Sequence, residues 1–293
     1  MELSQLNTFQ LVASCQSFSK AAQILHLTQP AITIQIKNLE AELGERLIER
    51  HARSLVLTPA GEVFLDYTKQ ILNLTTQACE SIRQFHQTRG RLFIGAGTTN
   101  TIFRLPQLLQ AYHQQYPEVE IQIRSGDSDY IISLVKENAI DLGFVTTIDI
   151  TTNLEIQPLF SDQILLATPL GYPQEITPTL LAKESLILFR TGSGFRRYLD
   201  KYFLTQHFQP KVVMELESME AMISFVQNGL GITFLPEIAI REQLLQQTIQ
   251  TIQIKNWSAM TRQTYLVYRK DKYLSWSIRN FLTQILKVNS NSH

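Results

Sequence analysis

Apolar residues in the first sixty positions recur at helical spacing. In "LSQLNTFQLVAS", Leu6, Phe9, Val12 and Ala13 fall on one helix face. "SFSKAAQIL" predicts a second helix, which Ser17 or Ser19 can cap. Leu27 and Thr28 break the pattern and a third helix follows. Thr28 suits its N-cap, and Pro30 is tolerated in the first turn, where its missing N–H has no partner to lose. Ile32, Ile36, Leu39 and Leu43 share one face, and Gly44 suits a left-handed stop. "RLIERHARSLVLT" predicts two short strands around His51 to Ser54. Thr58 and Pro59 then cap and open a long helix. Along it Phe64, Thr68, Ile71, Thr75, Ala78, Ile82 and Phe85 alternate steps of four and three, and no Gly or Pro lies between Glu62 and Arg89. Such a seam asks for a partner helix; the plainer reading packs the helix on its own domain.

From Arg91 the pattern changes. Short apolar runs ("RLFIGAG", "VEIQIRS", "DLGFVTT", "ILLATP", "LILFRTG", "KVVMELES", "GITFLP") alternate with helical stretches. That predicts an α/β region with largely parallel sheets, resembling two similar halves. "TYLVYR" and "LSWSIRNFLTQIL" supply a last strand and a terminal helix.

Charge does not by itself point to nucleic acid. Lys+Arg and Asp+Glu both number 26. The segment Met1–Arg89 is also balanced, with eight basic and eight acidic residues. A DNA-binding reading must rest on local placement of cations. Cys15 and Cys79 have no metal-ligand spacing, and a reducing, cytoplasmic location is expected. The start "MELSQLNTFQ" lacks a signal-peptide pattern and no run is long and apolar enough for a membrane span.

The ordered set of Phe9, Val12, "SFSKAA", Leu25, "LTQPAIT", Ile36, "LE" at 39–40, "LG" at 43–44, Leu47, "ER" at 49–50 and "LTPAG" at 57–61 resembles the N-terminal signature of LysR-type transcriptional regulators. "LPQLLQAYHQQYPEVEI" and "SMEAMISFVQNGLGITFLP" resemble that family's effector domain, so the likeness covers essentially the whole chain. The fold class it implies is α/β with an all-α-rich N-terminal part. A winged helix-turn-helix occupies 1–58 (helix-turn-helix about 18–37) and a dimerising linker helix 59–89. A two-subdomain periplasmic-binding-protein-like effector domain occupies 90–293, with subdomain I about 90–161 and 266–293 and subdomain II about 162–265. The resemblance also implies dimers paired into tetramers and promoter binding modulated by a small-molecule co-inducer. Expected partners are double-stranded DNA with dyad-related sites, the effector, further copies of the chain and RNA polymerase. No cofactor, metal or membrane partner is expected, and no enzymatic activity.

A recognition helix needs one apolar face for docking and one polar face for the major groove. Opposite Ile32, Ile36 and Leu39 lie Pro30, Thr33, Ile34, Lys37 and Asn38, with Gln29 near the start. Gln29 can pair bidentately with adenine, and Thr33 can reach a base or phosphate. Ser17, Thr28, Lys20 and Lys37 complete the expected DNA contacts, the lysines by neutralising phosphate. Arg50 and Arg53 match wing positions of the family, with His51 a weaker candidate; the plain reading of Arg50 is a surface ion pair. Ile34 stands where many relatives carry a basic or polar residue. It either touches a thymine methyl or is an exposed apolar residue without a role.

For the effector, "GAGTTNTIF" places Thr98, Thr99 and Asn100 after a strand and beside free helix N–H groups, a seat for an anion. Thr99 and Asn100 match positions where family members bind effector. Ser128 is expected to open the next helix, and Thr146 and Thr147 end a strand. "FRTGSGFR" puts Thr191, Ser193 and Arg190 or Arg196 at a strand-to-helix turn. Each Ser or Thr alone reads as a helix cap. As a convergent set, in which donors outnumber acceptors, they point to an organic acid or inorganic oxyanion. Nucleotide chemistry is poorly supported, because neither G-x-G-x-x-G nor G-x-x-x-x-G-K-[ST] occurs; G-x-S-x-G and H-E-x-x-H are absent too. A solute-binding transport protein would share the second half of the fold but not the N-terminal helices. A thiol switch in the effector domain is excluded by the lack of cysteine after Cys79.

Overall fold

The computed structural model describes every residue except 52–53, 85–89, 149–152 and 291–293. It divides into two compact units, one formed essentially by residues 1–90 and one by the remainder.

In the first unit, α1 (Leu3–Cys15), α2 (Phe18–Leu25) and α3 (Gln29–Leu43) surround a core that includes Leu6, Phe9, Val12, Ala21, Ile32, Ile36 and Leu39. Local chemistry sets the ends. Ser17 Oγ accepts from Lys20 N at 3.3 Å and Thr28 Oγ1 from Ala31 N at 3.4 Å, each satisfying an orphan N–H. Gly44 closes α3 at φ 74°. Leu43, placed by its spacing with Ile32 and Ile36, is instead exposed, because the last turn of α3 extends past the core. Beyond it Glu40 Oε1 accepts from Leu47 N (2.9 Å) and Ile48 N (3.2 Å), fixing the entry to a hairpin. The hairpin pairs β1 (Ile48–His51) antiparallel with β2 (Ser54–Leu57).

The long helix α4 (Pro59–Gln84) starts on Thr58, whose Oγ1 donates to Arg46 O (2.6 Å) and accepts from Gly61 N (2.9 Å). Phe64, Ile71 and Leu72 pack on the three-helix core, with the Phe9 and Phe64 ring centroids 5.4 Å apart, and Thr68 is fully buried. The first half of the expected heptad seam is therefore used inside its own unit. Among the described residues the large exposed apolar side chains of α4 are Val63, Tyr67, Leu74 (59% exposed) and Ile82 (75%); the first three lie off that seam, and Ile82 belongs to its second half. Phe85 lies outside the described residues.

The second unit has two cores. One gathers Leu92, Ile94, Leu105, Tyr112, Phe144, Leu159, Leu266 and Phe281; the other gathers Ile164, Leu188, Leu199, Phe203, Met222, Phe234 and Met260. The first lobe contains β3 (Gly90–Ala96), α5 (Leu105–Gln115), β4 (Val119–Ser125), α6 (Ser128–Lys136) and β5 (Leu142–Val145). The strand β6 (Leu154–Thr168) leads into the second lobe. There β7 (Glu175–Ile176), α7 (Pro178–Leu181), β8 (Leu186–Phe189), α8 (Gly194–Thr205) and β9 (Val212–Leu216) are followed by α9 (Met219–Gln227), β10 (Thr233–Pro236), α10 (Glu237–Leu245) and β11 (Gln250–Ile254). The strand β12 (Met260–Arg269) returns to the first lobe, and α11 (Trp276–Ser290) packs there through Ile278, Phe281 and Ile285.

The sheets are mixed, not largely parallel. Parallel pairing joins β3 to β5, β8 to β9 and β7 to β11. However, β6 and β12 run antiparallel to each other along their length, and β5, β10 and β11 add to them antiparallel. The reason is topological. Two strands must cross between the lobes, once in each direction, and they pair as they do so. Their ladder breaks register between Thr264 and Tyr265, near the waist between the two cores.

Candidate functional site

The exposed face of α3 and a cleft in the second unit hold most of the expected site residues. On α3, Ile32 and Leu39 are fully buried and Ile36 nearly so, while Gln29, Pro30, Ile34, Lys37 and Asn38 are exposed. Thr33 is half-buried. Ile34 is 57% exposed, an apolar side chain on an otherwise polar surface. Ser19 Oγ donates to Gln29 Oε1 at 3.1 Å, tying α2 to the start of α3 and leaving the Gln29 NH₂ as its remaining donor group. Lys20 is exposed on α2. Ser17 and Thr28 spend their oxygens on capping, so they orient the helices whatever else they touch. Arg53 and the side chains of Arg50 and His51 lie outside what is described.

The cleft, about 330 Å³, lies between the two lobes of the second unit. The strand β3 ends at Ala96, and the helix that follows begins at Thr98 and passes through a π-helical turn, Asn100–Arg104, before α5. Thr98, Thr99 and Asn100 line the cleft from this first turn, whose N–H groups have no intrahelical acceptor. The starts of α6, α8 and α9 face the same space through Ser128, Gly194 and Met219. Four helix N-termini therefore bias the cleft toward negative charge.

The structure sorts the expected ligand residues. Thr99 is buried and its Oγ1 accepts from Arg262 Nη2 at 3.0 Å. Asn100 is buried with its amide on Thr264 Oγ1 at 3.4 Å, so it stays in the wall with its side chain engaged. Ser128 lines the cleft, but its Oγ accepts from Thr146 N (3.1 Å) and Thr147 N (3.2 Å), tying α6 to the end of β5. Asp127, not Ser128, caps α6, accepting from Tyr130 N at 2.9 Å. Thr146 is in the lining and Thr147 is not. Ser193 lines the cleft and caps α8 by accepting from Arg196 N at 3.2 Å.

Thr191 is turned away from the lining. Its N and Oγ1 both donate to Glu215, which Arg196 also holds at 2.7 Å. The Glu215 carboxyl is accordingly held below its ordinary range, first by the Arg196 hydrogen bond and then by those from Thr191. Arg190 stands at the rim, paired with Glu217 at 3.1 Å. Asp127 and Glu217 put carboxylates on the rim, so the donor excess belongs to the floor and not to the whole cleft.

Sequence reading missed Arg262, Phe195, Phe189 and Met219, all in the lining. Arg262 sits mid-strand, far along the chain from Thr99. One signal was available: it shares the buried parity of β12 with Met260, Thr264 and Leu266. Among the described residues no metal-ligating cluster occurs, and no helix is long and apolar enough to cross a membrane.

Three helices with a strand hairpin, joined through a long helix to a two-lobed α/β unit with a cleft, define a ligand-responsive DNA-binding regulator. The profile of the LysR substrate binding domain matches residues 85–290, and that of the bacterial regulatory helix-turn-helix protein, lysR family, matches residues 3–62. The chain belongs to the LysR family of transcriptional regulators. It is 31% identical to a probable RuBisCO transcriptional regulator of Cyanidioschyzon merolae over 98% of both chains. It is 29% identical to the HTH-type transcriptional regulator CysL of Bacillus subtilis over 96% of this chain and 98% of the relative. The fold matches full-length CbnR, solved with its target DNA, with a TM-score of 0.69 at 23% identity over 100% of both chains.

Proposed function

We propose that this regulator binds dyad-related promoter sites through α3 and the β1–β2 wing, and that an organic acid or inorganic oxyanion in the cleft modulates that binding. The observation that carries the anionic assignment is the convergence of four helix starts on Thr98, Thr99, Ser128, Gly194 and Met219 around one cleft. On α3, Gln29, Thr33, Ile34 and Lys37 read or grip the groove, with Lys20 on phosphate; Arg50 and Arg53 serve the wing. The exposed stripe Val63, Tyr67, Leu74 and Ile82 supports dimerisation through α4. Pairing of dimers into a tetramer, a cytoplasmic location and contact with RNA polymerase are part of the same proposal, which family membership supports. No cofactor beyond the co-inducer is assigned.

The test is thermal unfolding of the full-length chain with a panel of carboxylates and oxyanions, alongside footprinting on promoter DNA. An anion that raises the melting temperature and alters the footprint is expected, and Thr99→Val is expected to abolish the shift. A panel that leaves both unchanged rejects the anionic assignment; an unchanged shift in Thr99→Val rejects Thr99 as a contact.

A further inference from the structure

The strands that join the lobes carry an unbalanced charge cluster. Asp162 of β6 faces Arg262 of β12 across the antiparallel ladder, and Arg104 of the π-helical turn is paired with Asp162. The carboxylate is ion-paired with Arg104 alone; its field acts on Arg262 across the ladder, but Arg262 makes no ion pair with it among the described residues. Asp162 and Arg262 are 4% and 5% exposed. Arg104 keeps a quarter of its side chain exposed, so Arg262 is the buried cation without an ion-pair partner among the described residues, and such a charge is costly until a counter-charge joins it.

The Arg262 side chain is held but not satisfied. Its Nη2 donates to Thr99 Oγ1 at 3.0 Å and its guanidinium carbon lies 4.6 Å from the Phe195 ring centroid. Its Nε–H is buried with no hydrogen-bond partner among the described residues. Burial pulls the guanidinium down to about 10, with Asp162 opposing the fall, so it carries its charge at neutral pH. Arg262 lines the cleft, where the helix starts at Thr98, Ser128 and Gly194 also present. A positive side chain hydrogen-bonded to Thr99 thus lines a cavity that already favours anions.

We propose that Arg262 is the anion-anchoring residue of this cleft, donating from its guanidinium to a carboxylate or oxyanion of the effector. The assignment rests on the anionic-effector reading and adds the residue that holds the charge. A guanidinium suits a ligand group with two or more oxygens, because its N–H groups form a planar fork. Asp162, whose field acts on Arg262 across the ladder, competes with an anion there by repelling it. The anchor also touches both lobes, Thr99 in the first and Phe195 in the second, so an anion there acts at the waist.

The experiment measures affinities of the full-length chain for acetate, malonate, sulfate and phosphate by calorimetry, in wild type, Arg262→Gln and Asp162→Asn. The tightest-binding probe is expected to weaken about 30-fold or more in Arg262→Gln, as loss of a charge-assisted hydrogen-bond partner requires. Asp162→Asn removes the competitor and is expected to tighten the same probe about fivefold or more. Tightening cannot come from misfolding, so this variant keeps the test decisive if Arg262→Gln is poorly folded. Wild-type binding that survives in a folded Arg262→Gln, or an affinity not increased in Asp162→Asn, overturns the anchor and leaves the anionic reading standing. Failure of all four probes on wild type overturns the anionic reading and the anchor with it.

Discussion

Gly61 tests how α4 is seated on the DNA-binding unit. It lies in the first turn of α4, where helix propensity alone makes Gly→Ala stabilising by about 1 kcal/mol. The structure demands the opposite sign. A Cβ at Gly61 would stand 2.1 Å from Leu47 O, 3.0 Å from Leu47 C and 3.3 Å from Leu47 Cα. All three are backbone atoms, so no side chain can swing aside. Leu47 O is also fixed by accepting from Thr58 N at 3.0 Å. Restoring ordinary contact opens the joint by about 1 Å; overpacking of that kind costs about 1–3 kcal/mol, and the strained Thr58 bond adds about 1 kcal/mol. Set against the propensity gain of about 1 kcal/mol, Gly61→Ala is therefore expected to destabilise the first unit by about 1–3 kcal/mol. Gly44→Ala is the control. A Cβ there meets nothing within 4 Å, and only the left-handed φ of 74° opposes it, at about 1–2 kcal/mol. Both tryptophans, Trp257 and Trp276, lie in the second unit. In urea titrations, Gly61→Ala should move the far-UV circular-dichroism transition of the helical unit and leave the tryptophan-fluorescence transition in place. Promoter affinity should fall with it. A Gly61→Ala chain as stable as wild type would refute the close seating of α4 on Leu47.

Ile34→Ala should lower affinity by about 1 kcal/mol for operators with thymine at one position, read by competition binding on a substituted operator series; an equal loss on every sequence sinks the methyl contact. Leu74→Glu with Ile82→Glu should shift the self-association equilibrium toward monomer in sedimentation while each unit stays folded, and an unchanged mass would remove α4's exposed stripe from the interface. Thr191→Val should leave anion affinity unchanged, since Thr191 faces Glu215. Glu215 has a lowered folded pKa, so its contribution is present above the ordinary carboxylate value and lost as pH falls through the folded one. Weakening its hydrogen bonds should thus raise the pH of acid unfolding, and an unmoved acid midpoint would count against this role.

The DNA-binding unit was legible because its signals are local. Ser17, Thr28, Gly44 and Thr58 act within three or four residues of their own positions, and the structure finds each at an element's end. Periodicity went less far. It put Leu43 on the face of Ile36 and Leu39 without knowing that the core stops short of it. It also found a seam on α4 but not which neighbour covers it, and half of that seam is taken by Phe9 and its surroundings. In the second unit, the alternation of strands and helices was visible, whereas pairing direction was decided by β6 and β12, separated by about a hundred residues. The opening half of β6, "LEIQPLF", carries a charge and a proline, and β11, "QTIQI", is half polar; neither reads as an apolar run.

The same distinction governs the cleft. Residues at the ends of elements, such as Thr98, Thr99 and Ser193, were found from their loops, and they do line it. Whether such a residue is free for a ligand depends on what stands opposite, which turned Thr191 onto Glu215 and Asn100 onto Thr264. Arg262 shows the limit most clearly. Its strand position announces a buried arginine, but its meaning depends on register, which sets Arg262 across the ladder from an acid whose ion pair is with Arg104. A charge imbalance spread over residues 104, 162 and 262 has no motif. It arises where two crossing strands meet the first turns of the helix after β3.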